Sequence, residues 1–558
     1  MEVKKVLKGI IKNMLNKITK KIICSSENAT FLSIIILVFI IGFNAWFLLV
    51  RGNSYIDSDM ASNFIAAVVN NSESTLMSTN WYYSTSAELF SDTSIYQIIL
   101  LFIKNNWNLA RCVGIIAMQV ILILLFLVFA KCIGLKKEFS ILSAAFLISP
   151  LSYRLFLTIG FGAYYISNTM LALLALILIL WFVKLDNINL ISRTICVAMM
   201  VFVAIISGIN GIKSVIFPYG AIALVMIYIV FDLIHNHPEK IKEYKCFEWK
   251  CVRAILISLI SFCIGYAINV LFIAKRFQYE SKEYISWASL DISNVFDALS
   301  DCLSLLGYQV DRRLNIVMDG RMSRTIFSLQ GIANLFSISL IVYFMFSVIR
   351  LIKRFSKLTN NQRFVIVLFI SEIIVGTIIF KFIDGYDAGS GYWVPVYPIM
   401  LAIMMIECES EDYNFIVSEK LIALTITVCV LVTSVSSIKL FQESPLHSNP
   451  QLVNVAKWLE DNGYEKGYGT FWNSNSVTFL TNGKIDMWSV YGFDNLALDK
   501  WLQKTSHNEK PEGDKIFALI GPKDELDRDV FLQYMNTEPG IPEIVYQDDK
   551  GYIVVEYK

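Results

Sequence analysis

Apolar stretches of about twenty residues recur along the chain, and the first of them, FLSIIILVFIIGFNAWFLLV at 31–50, contains no charged residue. A helix of that length crosses about 30 Å of hydrocarbon with every backbone polar group bonded internally, so each stretch predicts a membrane span. Further spans are expected at 108–130, 139–157, 163–183, 194–209, 214–234, 253–274, 328–349, 364–382, 392–406 and 420–438, eleven in all. With 55% hydrophobic and only 17% charged residues, the composition excludes an ordinary soluble protein. The fold class is a polytopic α-helical membrane protein. The first run is longer than a signal-peptide core and ends in RGNSYIDSD rather than a small-residue cleavage site, so it is expected to be a retained span. The nine-residue IYQIILLFI at 95–103 is too short to cross and predicts an interfacial or re-entrant helix.

Lysine and arginine placement orients the spans. Segment 1–30 is basic, with seven Lys against Glu2 and Glu27, and bases recur at Lys131, Lys136 and Lys137, from Lys240 to Arg253, and from Arg350 to Lys357. The N-terminus is therefore expected in the cytoplasm. The transmembrane domain runs over 31–438, with extracytoplasmic loops at 51–106 and 275–327. The acidic ECESED at 407–412 falls on the cytoplasmic side, against the prevailing charge there.

Beyond SSIKLFQESPLHSNP the apolar runs stop, and 440–558 holds 19 acids and 11 bases, a net of −8. A small extracytoplasmic α/β domain is expected over 440–558. NPQLVNVAKWLEDNGY reads as a helix capped by Asn449, KIFALI and GYIVVEY as strands, and DELDRDVFLQYM as a helix between them. In the loop 275–327, Val295, Leu299, Leu303 and Leu306 recur at helical spacing and predict a helix on the membrane surface. The ten cysteines are scattered and form no disulfide framework. The four histidines are too separated for a histidine metal centre.

The residues able to carry chemistry begin at SYIDSDMASNF, 54–64, where Asp57 and Asp59 follow the first span. A carboxylate at headgroup depth is partly desolvated and suited to general-base work. It is equally suited to capping the next helix, for which DMASNFIAAVV offers Asp59 as N-cap. Two carboxylates two residues apart also suit a divalent cation, so Asp57 and Asp59 are the metal candidates, and no cofactor is otherwise indicated. Lys213, in the outer turn SGINGIKSVIFP with Gly208 and Gly211 beside it, reads either as an anion-binding cation or as a lysine snorkelling to the interface. The cluster Arg312, Arg313, Arg321 and Arg324 reads either as an ion-paired surface or as an anion site. Trp81, Tyr82 and Tyr83 suit either sugar stacking or an interfacial aromatic belt.

The layout resembles the GT-C superfamily of integral-membrane glycosyltransferases, whose branches include protein O-mannosyltransferases, aminoarabinose transferases and rhizobial lipopolysaccharide-core transferases. The first outer loop of such proteins opens on an Asp-Glu-Ala type motif, matched by DMA at 59–61 with Met60 in place of the glutamate. LMSTNWYYSTSAELF at 76–90 resembles a Trp-Tyr-Tyr-Ser-Thr stretch of uncharacterised bacterial members, and GYWVPVYPIM at 391–400 resembles their Arg-Tyr-x-x-Pro start of a late span, with Gly391 replacing the arginine. The resemblance implies inverting transfer of a sugar from a polyprenyl-phosphate carrier to a glycan, lipid or protein of the cell envelope, with no nucleic acid involved. In that scheme Asp59 is the base, with Asp57 beside it. Lys213, Arg111, Arg154 and the four clustered arginines are candidates for the carrier phosphate, and Trp81, Tyr82, Tyr83 and Tyr392 for substrate contact. The alternatives are a flippase or transporter of the same lipids, and a polysaccharide ligase or polymerase. A transporter places ionisable groups deep in its spans, where Glu372 is nearly alone.

Overall fold

The computed structural model describes the chain except residues 1–25, 85–87, 163–164, 185–189, 244–245, 280–285, 288–290, 308–326, 385–389, 411–418, 444–448, 494–495, 514, 523, 525–542 and 558. The first crossing is α1 (Ser26–Arg51), whose Phe31, Val38 and Phe39 face outward where lipid belongs. The first outer loop then folds into α2 (Ser58–Ser72) and the nine-residue α3 (Asp92–Leu100). Helix α3 matches the expected short element: it buries Ile95, Tyr96 and Leu100 and exposes Ile98. The chain returns through α4 (Trp107–Ile133).

The span expected at 139–157 is not one helix. It is α5 (Lys137–Leu147), a break at Ser149 and Pro150, and a π-helical turn over Phe156–Gly160. The break leaves carbonyls without helical partners inside the membrane, and two buried amides supply them. Asn44 donates to the Ile148 carbonyl at 3.0 Å, and Gln119 donates to the Ile159 and Gly160 carbonyls at 2.9 and 3.1 Å. Buried side chains can re-satisfy an interrupted membrane helix in this way.

Eight more crossings follow: α6 (Ile166–Lys184), α7 (Leu190–Ile209), α8 (Ala221–His235), α9 (Phe247–Ile268), then, after the loop helix α10 (Ile292–Leu303), α11 (Leu329–Lys353), α12 (Asn360–Phe382), α13 (Tyr397–Cys408) and α14 (Glu419–Glu443). Ten helices among the described residues are long and apolar enough to span, and the broken helix is the additional passage. Gly208 and Gly265 sit where α7 and α9 cross, each with a backbone carbonyl of the other helix where a Cβ would stand. Gly208 thus serves helix packing rather than ligand approach to the neighbouring turn.

Described acids at the end of α13 and the start of α14 are paired with basic residues or backbone amides. Glu407 is buried between Arg350 at 3.1 Å and Arg354 at 2.7 Å, Glu409 accepts the Lys136 amide at 2.7 Å, and Glu419 pairs with Lys136 at 2.8 Å. These acids therefore share one end of the bundle with the bases that orient it. In the loop 275–327 α10 forms where a helix is expected, but its buried residues are Ala298 and Cys302, with Val295, Leu299 and Leu303 half-buried, and Asp301 binds Lys381 of α12 at 2.7 Å.

Short strands tie the outer loops together: β1 (Tyr82–Tyr83) pairs with β2 (Gln278–Tyr279), and β3 (Ser286–Trp287) with β4 (Ile383–Asp384). After α15 (Pro450–Asp461) comes a five-stranded sheet of β5 (Lys466–Thr470), β6 (Asp486–Val490), β7 (Ile516–Ile520), β8 (Glu543–Gln547) and β9 (Ile553–Tyr557), in the order β6-β5-β7-β9-β8. The first three are parallel, with α16 (Phe471–Leu480) connecting β5 to β6. Strands β7 and β9 are the two expected from the sequence. Strands β5 and β6 and helix α16 were not expected. Asn449 flanks α15 but does not cap it, its side chain accepting the Tyr552 hydroxyl at 2.6 Å instead. The helix expected at 524–535 lies outside the described residues, save Asp524.

This sheet is joined firmly to the membrane part. Phe479 of α16 packs between Phe64 of α2 at 5.2 Å and Trp107 of α4 at 6.1 Å, and Asn482 accepts the Trp107 amide at 2.8 Å.

Candidate active site

After α1 a 3-10 turn at Gly52–Tyr55 leads through Ile56 to Asp57, which caps α2, its Oδ1 accepting the Met60 amide at 2.9 Å. The N-cap thus falls two residues before the expected one, and Asp59 stands in the first turn of α2. The positive end of the α2 dipole favours negative charge at both residues. Beneath them, rings of Phe47, Tyr55, Phe156, Phe161 and Phe441 pack at centroid distances from 5.0 to 6.1 Å and hold the link rigid. Among the described residues no group of three or more His, Cys, Asp or Glu is placed to hold a metal ion.

Lys213 follows the left-handed turn at Gly211, and its Nζ lies 2.6 Å from Glu88 Oε1. Asn210 of the same turn grips the first outer loop from both sides, accepting the Phe90 amide at 3.1 Å and donating to the Phe90 carbonyl at 2.6 Å. The ammonium also stands 5.6 Å over the Tyr165 ring. Tyr165 packs against Tyr392 at 5.1 Å. Burial foremost, then Tyr392 and the carboxylates of Glu88 and Asp59, push the Tyr165 phenol well above its ordinary range, so it remains a neutral donor. Asp92, the first residue of α3, is buried and accepts the Ser167 amide at 3.3 Å. Burial, reinforced by Glu88, pushes its carboxyl up to about 6 against the pull of Ser167 and Lys213.

Glu88, Asp92, Tyr165, Lys213 and Tyr392 therefore meet in one cluster, and Asp59 is near enough to Tyr165 to act on its phenol. Of these, Asp59, Lys213 and Tyr392 were singled out from the sequence, and Glu88, Asp92 and Tyr165 were not. At Gly391 a Cβ would find only ordinary contact with Tyr165 and Thr158, so the position is open rather than sterically closed to a side chain.

Arg111 is 0% exposed: its guanidinium donates to the Phe161 carbonyl at 2.8 Å, touches Met60 Sδ at 3.6 Å and covers the Phe161 ring at 4.5 Å. It ties α4 to the motif residue beside Asp59 and to the segment leading to Tyr165. Arg154 is half-buried in the broken helix, 6.0 Å from the Tyr153 ring. Arg312, Arg313, Arg321 and Arg324 lie outside the described residues. Trp81 and Tyr82 are buried at the junction with the C-terminal sheet: Trp81 bridges to Lys504, the Tyr82 amide donates to the Gln503 carbonyl at 2.8 Å, and Asn508 donates to the Tyr82 hydroxyl at 2.7 Å. Tyr83 meets Phe277 edge-on at 5.5 Å and donates to the Ser78 carbonyl at 3.0 Å.

This arrangement, with an acid opening the first loop after α1, a bundle that returns repeatedly and a C-terminal sheet seated on that loop, shares its overall fold with a solved membrane protein. Among solved structures the chain is similar to the aminoarabinose transferase ArnT from Cupriavidus metallidurans bound to undecaprenyl phosphate, at 12% identity and TM-score 0.55, over 94% of this chain and 98% of that one. The apo state of the same protein matches with the same values of 12%, 0.55, 94% and 98%. A looser likeness, TM-score 0.45 at 12% identity over 88% of this chain and 69% of the other, is to the oligosaccharyltransferase AglB from Archaeoglobus fulgidus in complex with an inhibitory peptide and a dolichol-phosphate. No protein-family model matches the chain, and no curated protein matches it by sequence.

Proposed function

We propose that the protein transfers a sugar from a polyprenyl-phosphate carrier to an envelope glycan, lipid or protein, at the extracytoplasmic face of the cell membrane, with the Ser26 end of α1 on the cytoplasmic side. The observation that carries this reading is the convergence of an acid in the first turn of α2 with a lysine and two tyrosines at one end of the bundle. That end lies opposite the basic end.

Asp59 takes the proton of the acceptor hydroxyl, the oxygen attacks the anomeric carbon, and the bond from that carbon to the carrier phosphate breaks with inversion. The bonding pair leaves on the phosphate oxygen. Charge gathers there in the transition state, so a fixed cation accelerates the step. Lys213 is that cation, exchanging Glu88 for phosphate when the carrier arrives. Tyr165, held neutral, donates a hydrogen bond, and Tyr392 offers a ring face. Arg111 acts as a positioning residue through Met60 and the Phe161 carbonyl.

The test is Asp59→Asn assayed for transfer from a polyprenyl-phosphate sugar in native membranes. Loss of a general base is expected to lower turnover about a hundredfold or more at unchanged protein level. Undiminished transfer by this variant rejects the assignment.

A further inference from the structure

Glu88 and Asp92 flank Phe90, the residue that Asn210 grips through both its amide and its carbonyl. That grip fixes both acids against the turn that carries Lys213. Glu88 takes the ammonium at 2.6 Å. Asp92 is 3% exposed, accepts the Ser167 amide at 3.3 Å, and lies near enough to Glu88 and Lys213 to feel the charge of both. The transfer proposed above uses Lys213 and leaves Asp92 without a part.

The charge balance of the cluster gives it one. With both carboxylates ionised, Glu88 and Asp92 set two negative charges against the one ammonium. A carrier-linked sugar is a phosphodiester, and it adds a third negative charge when it displaces Glu88 from Lys213. Glu88 remains on the same clamped loop, so its charge stays beside the site. Like charges crowded into a desolvated place favour protonation of one of them. Asp92 is the acid readiest to accept, because burial above all already holds its carboxyl up at about 6. Among the described residues the charged and titratable groups around Asp92 are Glu88 from the loop, Lys213 from the turn after α7, and Tyr96 from α3 itself, on which Arg111 and Cys112 of α4 also act. Ser167 faces it from α6, while Tyr165 and Tyr392 surround Lys213, and Asp59 of α2 acts on Tyr165.

We propose that Asp92 is a positioning residue that takes up one proton when the carrier phosphate displaces Glu88 from Lys213, so that carrier binding and proton uptake are coupled. The inference rests on the reading of Lys213 as the cation for the carrier phosphate. The proton comes from solvent and goes to a carboxylate oxygen of Asp92, which returns the cluster to the charge it had before the carrier arrived. A proton held more tightly in the complex than in the free protein makes affinity fall as pH rises, by at most about tenfold per pH unit. The fall begins near pH 6, since below it Asp92 is already protonated in the free protein.

The experiment uses the full-length protein in detergent and the methyl ester of farnesyl phosphate, a phosphodiester whose single charge is constant over the range tested. Wild type, Asp92→Asn and Lys213→Ala are titrated with it from about pH 5 to about pH 8, and calorimetry near pH 7 in two buffers of different ionisation enthalpy counts the protons exchanged. Wild type is expected to bind evenly below about pH 6, to weaken about tenfold or more by about pH 8, and to take up close to one proton. Asp92→Asn is expected to match wild type near pH 5, to keep that affinity up to about pH 8, and to take up no proton. Wild type that takes up no proton overturns the proposal, as does an Asp92→Asn protein that keeps the wild-type slope or binds more weakly than wild type at the acid end. If Lys213→Ala weakens binding while Asp92→Asn keeps the slope, the cation assignment stands and the coupling fails. If Lys213→Ala binds as wild type does, the cation assignment fails and the coupling falls with it.

Discussion

Lys213 and Glu88 are bonded at 2.6 Å across a sequence separation of 125 residues, joining the turn after α7 to the first outer loop. The ammonium proposed to neutralise a departing phosphate is thus already engaged by an anion. Glu88 keeps the cation positioned and soluble in a partly buried place, and it competes with the ligand for it. Lys213→Ala is expected to weaken polyprenyl-phosphate binding about tenfold or more, and Glu88→Gln to tighten it about fivefold by removing the competitor. Titration of the purified variants with polyprenyl phosphate reads both. Identical affinities in all three proteins would remove Lys213 from the site.

The crossing of α7 and α9 depends on two absent side chains. A Cβ at Gly208 would collide with the Phe262 carbonyl, and one at Gly265 with the Ile205 carbonyl. Both obstacles are backbone, so neither yields by a rotamer change. Gly208→Val is expected to force the helices apart at a cost of about 2 kcal/mol, with a lower melting temperature in detergent. Because α7 leads into the turn that holds Asn210 and Lys213, the same variant should lose transfer activity before it loses membrane insertion. A melting temperature equal to wild type contradicts the packing role.

What the sequence makes legible follows from how local each feature is. Spans such as α1 and α4 announce themselves because crossing hydrocarbon demands unbroken apolar length. The passage at 139–157 has that length but hides its break, since whether Ser149 and Pro150 interrupt a helix depends on Asn44 and Gln119, amides on other helices. Asp59 and Lys213 stand out as charges beside lipid. Glu88 and Asp92 look like ordinary loop acids until the fold brings Lys213 to them, and Tyr165 looks like one of many interfacial aromatics. The α2 start differs by two residues because SYIDSDMAS offers two carboxylates of equal capping chemistry, and the preceding turn decides between them. Strand β5, KGYGT, carries two glycines that weaken the strand signal of Tyr468 and Thr470, and its pairing on both sides compensates.

Asp92 carries a pH signature. Its folded pKa of about 6 lies above the ordinary value of 3.8, so the folded state holds this proton more tightly than the unfolded chain. The stability it contributes is full below pH 3.8 and is lost as pH rises through about 6, a change on the order of 3 kcal/mol. Asp92→Asn removes the ionisation while keeping the acceptor for the Ser167 amide. Relative to wild type, the variant is expected to gain melting temperature above pH 6 and to show little difference near pH 4. Parallel melting curves for the two proteins across that range would sink the argument.

The junction between the first outer loop and the sheet responds to acid in the opposite sense. Lys504 Nζ contacts both Asp486 oxygens at 2.9 Å, His507 reaches the same carboxylate at 3.3 Å while stacking on Trp488 at 4.2 Å, and the adjoining Gln503 and Thr505 bond to Tyr82 and Asn80 of the loop. Burial raises the Asp486 carboxyl, but His507 and Lys504 together outweigh it and hold the group below its ordinary 3.8. A depressed carboxyl stabilises the folded form above its unfolded pKa and gives that stability up as pH falls below it. Hydrogen exchange at 80–83 and 503–508 is therefore expected to rise together as pH drops below about 4. In Asp486→Asn the same amides should exchange faster already at neutral pH, because Lys504 and His507 lose the anion that fixes the segment. If the variant matches wild type at neutral pH, the carboxylate does not hold the junction.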